Sequence, residues 1–157
     1  MGVLAKAGAD EIEDWFLKGD CHVFAIALSR LTGLPMAGLA PSRRWVDNGL
    51  GWLHVYVDLG DGVGADVRGV RPVAEMAAEL RSLARDMAGF VTDPVDEGIL
   101  LAMSGDSWER GPDGRLPVYR EIRDWVLADA EELIRGRLAP LFAELPAAAP
   151  VACHGMR

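Results

Sequence analysis

Three residues, far apart in the chain, have the types that nucleophilic acyl chemistry needs: Cys21, His54 and Asp66. Cys21 follows Asp20 in the stretch "GDCHVFAIALSRLTG". Aspartate is a favoured N-cap, so a helix is expected to start at Cys21. A thiol in the first turn of a helix meets unpaired N–H groups and the positive end of the dipole. Both favour the thiolate, which is the nucleophile. The same N–H groups can hold a developing oxyanion. A nucleophile needs a base, and the base an orienting partner. His54 sits mid-strand in "WLHVYVDL" and Asp66 lies 12 residues further on. Core packing is the alternative reading of Cys21, and His54 alone reads as a satisfied strand histidine; their joint occurrence with Asp66 carries the chemical reading.

The trio makes a demand on the hairpin that joins His54 to Asp66. Opposed residues of an antiparallel pair share a face. A two-residue loop at Asp61–Gly62 sets Asp66 opposite Val57, on the core side. A three-residue loop, Gly60–Asp61–Gly62, sets Asp66 opposite Tyr56 and Arg68 opposite His54. His54 and Asp66 then become diagonal neighbours roughly 7 Å apart, within side-chain reach. The triad therefore predicts the three-residue loop, with Gly62 in the left-handed position.

The elements that must hold these residues follow from periodicity. "ADEIEDWFLKG" is a short helix with Asp10 as cap and Ile12, Trp15 and Phe16 on one face. The helix from Cys21 to Thr32, stopped by Gly33, has almost no polar face and is expected to be buried on most sides. "LPMAGLA" is a short strand and "PSRRWVDNG" a loop. Trp52 to Leu59 alternates: Leu53, Val55, Val57 and Leu59 form a core face; Trp52, His54, Tyr56 and Asp58 form a more polar one. "VGADVRGV" is its hairpin partner. After Pro72 come a helix ended by Gly89, a short helix in "EGILLAMSG", a loop in "DSWERGPDGRLP", and a long helix in "VYREIRDWVLADAEELIRGRL" with Val118, Ile122, Trp125, Val126 and Leu133 on its stripe. Runs of strands beside runs of helices indicate α+β. The 157 residues form one domain: a core over 10–70, a helical half over 72–145 and a tail over 146–157.

Composition narrows the function classes. The chain is half hydrophobic, with 16 basic against 24 acidic residues and a net charge of −8. No basic stripe is present, which argues against a nucleic-acid partner, and an acidic surface avoids anionic membranes. No segment approaches about 18 consecutive apolar residues, so no membrane span is expected. The N-terminus lacks an apolar run behind a basic start, which gives a cytoplasmic expectation. The two cysteines, Cys21 and Cys153, are expected to be free thiols. Cys21, His22, His54, Cys153 and His154 are soft ligands, yet no C-x-x-C or H-x-x-x-H spacing joins them, so neither a metal nor another cofactor is expected. Arg43, Arg44 and Arg68 either meet an acidic substrate group or face water.

Cysteine at a helix start, histidine on a strand and aspartate on the next strand, in that order, resembles the papain-like thiol enzymes, the transglutaminase-like branch above all. The pattern, roughly "GxC…A…L…GLP" then "HxxV…DG…D", is similar to small bacterial and phage-encoded papain-like proteins. The resemblance covers about Asp10 to Val70. It implies a papain-like core, with the helix packed on a small antiparallel sheet and C-terminal helices added. It also implies acyl transfer through a thioester on a protein or peptide substrate: proteolysis, amide hydrolysis, deamidation or transglutamination. Cys21 would be nucleophile, His54 base and Asp66 orienter. The chain departs from the family in having no glutamine for the oxyanion hole, and its only asparagine, Asn48, precedes His54. The cleft residues in question are then Trp52 or Trp15 as indole donors, with His22 and Tyr56 beside them. The alternative expectation is a non-catalytic binding module of the same fold, in the manner of a phage or mobile-element protein that inhibits a host protein. The C-terminal helices are the candidate surface for a partner or a homodimer.

Overall fold

The computed structural model describes residues 2–81, 89–105, 110 and 114–148. The chain is α+β. Helix α1 (Ala9–Leu17) and helix α2 (Cys21–Thr32) lead into strand β1 (Met36–Ala40) and the short α3 (Arg43–Asp47). Strands β2 (His54–Gly60), β3 (Val63–Asp66) and β4 (Gly69–Pro72) form a meander, followed by α4 (Val73–Leu80), β5 (Val91–Val95) and α5 (Glu97–Met103). The two-residue strands β6 (Ser104–Gly105) and β7 (Tyr119–Arg120) pair in parallel, and α6 (Asp124–Arg135) is followed by a 3-10 turn (Ala139–Phe142) that places Phe142 in the core. The main sheet is antiparallel, in the order β4-β3-β2-β1-β5.

The apolar helix α2 occupies the centre of the larger core, with Val23, Ile26, Ala27 and Leu28 buried against Val55 and Val57 of the sheet and Val126, Ala130 and Leu133 of α6. Gly33, at φ 73°, takes the left-handed position that ends α2. Ala148 donates its N–H to Leu31 O at 2.8 Å, which seats the start of the tail on this helix end. The rest of the tail, Cys153 and His154 included, lies outside the described residues, as does the second half of the helix expected to run to Gly89.

Several expectations are corrected. The face of β2 expected to be more polar is a second core: Tyr56 packs with Ala37, Leu39, Met76 and Ala77, under α4. "RRWVD" is a helix because Ser42 Oγ accepts from Trp45 N–H and caps it. The first helix starts one residue before Asp10, with Gly8 as N-cap and its N–H held by Glu11 at 2.7 Å; Trp15 is exposed rather than packed beside Ile12 and Phe16. The last helix begins only at Asp124, so Val118 and Trp125 stand outside its buried stripe and both are exposed. The segment after Pro72 is not all helical: β5 completes the sheet beside β1. Its Pro94 fits an edge strand, where a missing N–H costs no ladder bond.

Candidate active site

The structure brings Cys21, His54 and Asp66 together, and each comes from the end of an element. Cys21 opens α2, His54 opens β2 and Asp66 closes β3. All three are nearly withdrawn from solvent, at 6, 4 and 3% exposure.

The hairpin achieves this by a route that loop length alone does not reveal. Gly60 pairs with Val63, so the turn holds only Asp61 and Gly62, at φ 51° and 74°. The register then shifts between Asp58 and Gly60, and beyond it Asp58 faces Gly64 and Val57 faces Ala65. A bulge at Leu59 supplies the extra residue that the sequence reading assigned to a three-residue loop. Gly60, at φ 84°, accommodates it, and Asp58 Oδ1 accepts the Gly60 N–H at 2.9 Å. Continued toward the site, this register sets Asp66 opposite Tyr56 and diagonal to His54. The loop expectation is thus corrected, while the facing it was invoked to explain is observed. The pairing of Arg68 with His54 does not occur. "VGADVRGV" is two strands, turning at Val67–Arg68, and Asp66 pairs with Gly69.

His54 Nε2 donates to Asp66 Oδ2 at 3.1 Å. Asp66 also accepts the Arg68 N–H on Oδ1 at 2.9 Å and Arg71 Nη2 on Oδ2 at 2.8 Å. Burial alone would raise this carboxyl, but His54, Arg71 and the Arg68 N–H outweigh it and bring it down to about 2. Arg71 is itself gripped by Glu79, Nη1 to Oε1 at 2.7 Å.

With Nε2 committed to Asp66, Nδ1 is the His54 nitrogen left for the thiol. Burial would raise Cys21; side-chain hydrogen bonds with His22 and His54, the His54 charge and the Val55 N–H reverse this and lower it to about 6. Burial would lower His54; Asp66 and Cys21 reverse that and raise it to about 9. The two directions are opposite, so the fold favours a charged sulfur beside a charged ring.

The remaining expected residues fall as follows. Asp20 precedes Cys21 at the N-cap position, but its side chain accepts no capping hydrogen bond; it lies 3.6 Å from Arg120. His22 is fully buried, with Nε2 donating to Arg120 O at 3.1 Å and its ring 5.0 Å from that of Tyr119. Tyr56 stacks on His54 at 6.5 Å, within the second core rather than in a cleft. Trp52 Nε1 reaches Asp93 at 3.4 Å, so this indole donor is directed away from an oxyanion role. Trp15 stands in the wall of a groove of about 450 Å³ with Asp20, Tyr119, Arg120 and Trp125. Arg43 pairs with Asp93, and Arg68 with Glu13 and Glu79, so both cations are committed within the protein. Two residues were missed. Arg71 would have been legible had the hairpin been split at Val67–Arg68, since it then faces Gly64 beside Asp66. Tyr119, whose hydroxyl accepts the Trp52 N–H at 2.7 Å, sat inside an expected helix and gave no signal.

His54 lines a small cleft of about 160 Å³ with Leu17, Met76 and Leu80, rimmed by Arg68, Arg71 and Glu79. Among the described residues no group of three or more His, Cys, Asp or Glu could hold a metal ion, and no helix is long and apolar enough to cross a membrane. No protein-family model, no curated protein and no solved structure matches this chain, so its functional reading rests on its own residues.

Proposed function

We propose that the protein is a thiol-dependent hydrolase or acyltransferase acting on a peptide or amide bond, built on a papain-like core. The observation that carries this is the alignment of Cys21, His54 and Asp66, with the thiol lowered and the imidazole raised around neutral pH. A helix that presents a cysteine at its start, packed on an antiparallel sheet carrying the histidine and aspartate in that chain order, supports the papain-like reading.

The Cys21 thiolate attacks the carbonyl carbon: a C–S bond forms and the carbonyl oxygen becomes an oxyanion. The first N–H groups of α2 have no intrahelical partner and face developing negative charge. His54 gives its proton to the leaving nitrogen, the C–N bond breaks, and a thioester remains. Water or a second amine, losing a proton to His54, releases the acyl group. Asp66 keeps the ring oriented and stabilises the imidazolium, staying ionised throughout.

The test uses p-nitrophenyl acetate as a generic acyl donor. The expected result is a burst of nitrophenol, with one acetyl group on Cys21 and none in Cys21→Ala. Acetylation elsewhere, or a burst equal in both proteins, overturns the reading. The second reading, a binding module without turnover, is favoured by one observation: Cys21 is only 6% exposed. It expects no burst, together with a partner-dependent activity that survives Cys21→Ala.

A further inference from the structure

Cys21 and His54 come from different elements, so their separation is set by what holds the start of α2 to the start of β2. Strand β7 touches both. The Tyr119 hydroxyl, on a residue 7% exposed, accepts the Trp52 N–H at 2.7 Å and donates to Trp52 O at 3.0 Å. Trp52 lies two residues before His54, outside the ladder with β1, where Leu53 N–H still reaches Leu39 O at 2.7 Å. One buried hydroxyl thus satisfies both backbone groups of Trp52. Gly51 makes this approach possible. At φ 69° it is left-handed, and a Cβ there would lie 2.8 Å from Val118 and 3.0 Å from the hydroxyl. The next residue of β7 holds the other element. Arg120 O accepts from His22 Nε2 at 3.1 Å, and the Arg120 guanidinium lies against Gly19 and 3.6 Å from Asp20. β7 is itself held to β6, and Val118 N–H donates to Met103 O at 3.0 Å.

We propose that Tyr119 is a positioning residue for the thiol and the imidazole. Its hydroxyl fixes the chain that leads into His54, while its neighbour Arg120 holds the residues on either side of Cys21, so that β7 sets the separation of the reacting pair. A proton passes between sulfur and nitrogen only within hydrogen-bond reach, and a misplacement of about 1 Å can cost on the order of 100-fold in rate. A phenol bonded twice to one backbone residue suits that demand. Burial raises the Tyr119 hydroxyl, and the Cys21 charge adds to that, so it stays protonated and can donate and accept at once. The ring also packs on that of His22 at 5.0 Å. Removing the oxygen alone therefore leaves the α2 side of the link in place and frees only the His54 side.

This rests on Cys21 and His54 as the reacting pair, but its test does not require turnover. Iodoacetamide alkylation of Cys21 in the full-length protein is followed against pH, with the label located by peptide mass so that Cys153 does not contribute. Tyr119→Phe removes the bonds to Trp52 and keeps the ring on His22. The charged and titratable groups around the sulfur, His54 with Asp66, His22, and Asp20 with Arg120, are all retained. The expected result is an ionisation step raised by about half a pH unit or more, because the imidazolium no longer stands within hydrogen-bond reach of the sulfur. Thr32→Val removes a buried hydroxyl bonded to Leu28 O at the other end of α2 and should leave the step in place. An unchanged step in Tyr119→Phe overturns the proposal. So does an equal rise in Thr32→Val, which would trace the effect to lost stability. If Tyr119→Phe does not fold, Gly51→Ala and Gly49→Ala decide. Both place an alanine at positive φ, 69° and 73°, but only the first presses on Tyr119. A rise confined to Gly51→Ala is expected; no rise, or the same rise in both, overturns the proposal. A rise in Tyr119→Phe without an acetyl burst in the wild type keeps the Tyr119 role and removes the acyl-transfer reading, whereas a burst without the rise does the reverse.

Discussion

Asp66 Oδ2 accepts from Arg71 Nη2 at 2.8 Å on the same oxygen that faces His54. One buried carboxylate thus answers two cations, and Arg71 is tied in turn to Glu79. Removing a charged partner from a buried group leaves that group's desolvation uncompensated. Arg71→Met is therefore expected to cost roughly 1–3 kcal/mol in urea unfolding. Glu79→Gln, at the solvent end of the same chain of ion pairs, is expected to cost under about 1 kcal/mol. Equal losses would mean that Asp66 does not depend on Arg71.

Asp66→Asn tests the orienting role separately from stability. The amide keeps the shape and removes the charge that supports the imidazolium. Alkylation of Cys21 by iodoacetamide should follow one ionisation near pH 6 in the wild type. In Asp66→Asn and in His54→Gln the step should move toward the ordinary thiol value of about 8.5. A step that stays in place in both variants would mean that neither residue acts on the sulfur.

The same ionisations set the pH dependence of folding. Cys21 is lowered to about 6 in the fold, so its contribution is full above about 8.5, the unfolded value, and is lost as pH falls through 6. His54 is raised to about 9, so its contribution is full below about 6.5 and is lost as pH rises through 9. Between about pH 6.5 and 8.5 the two slopes are opposite and cancel. Urea midpoints of the wild type should be flat across that window. In Cys21→Ala only the histidine slope remains, and stability should fall with rising pH. A flat profile in Cys21→Ala would mean that Asp66 alone does not hold His54 above its ordinary value. Asp66, lowered to about 2, contributes fully above about pH 3.9 and loses its contribution only as pH falls through 2.

The site was more legible in the sequence than the frame around it, and the reasons are physical. Helix α2 announced itself because an unbroken apolar run between an aspartate and a glycine has few other solutions. The alternation from Leu53 to Leu59 gave the strand and its two faces, but nothing in one strand says what covers the second face; α4 does so from residues 73–80. The bulge at Leu59 was hidden because an inserted residue and a longer loop produce the same register at Asp66. β5 was missed because Pro94 argues against a strand until the strand is known to be at an edge. Arg71 and Tyr119 depend on a turn and a helix start, features that move by a few residues without altering the periodicity.

Gly64 connects that hidden frame to the chemistry. It lies in β3 between two paired strands, and a Cβ there would collide with the ring of Tyr56 and press on Met76. Tyr56 stacks in turn on His54. Gly64→Ala is expected to destabilise the protein by roughly 1–3 kcal/mol, because neither backbone nor ring has room to yield. Gly89→Ala, where a Cβ meets nothing within 4 Å, should stay within about 0.5 kcal/mol of the wild type. Shrinking the ring should relieve the clash, so Gly64→Ala combined with Tyr56→Leu should cost less than the sum of the two single changes. Additive losses would show that Gly64 is required for its backbone alone. If the ring is displaced instead, His54 moves with it, and the Cys21 alkylation step should shift upward in Gly64→Ala while remaining unchanged in Gly89→Ala.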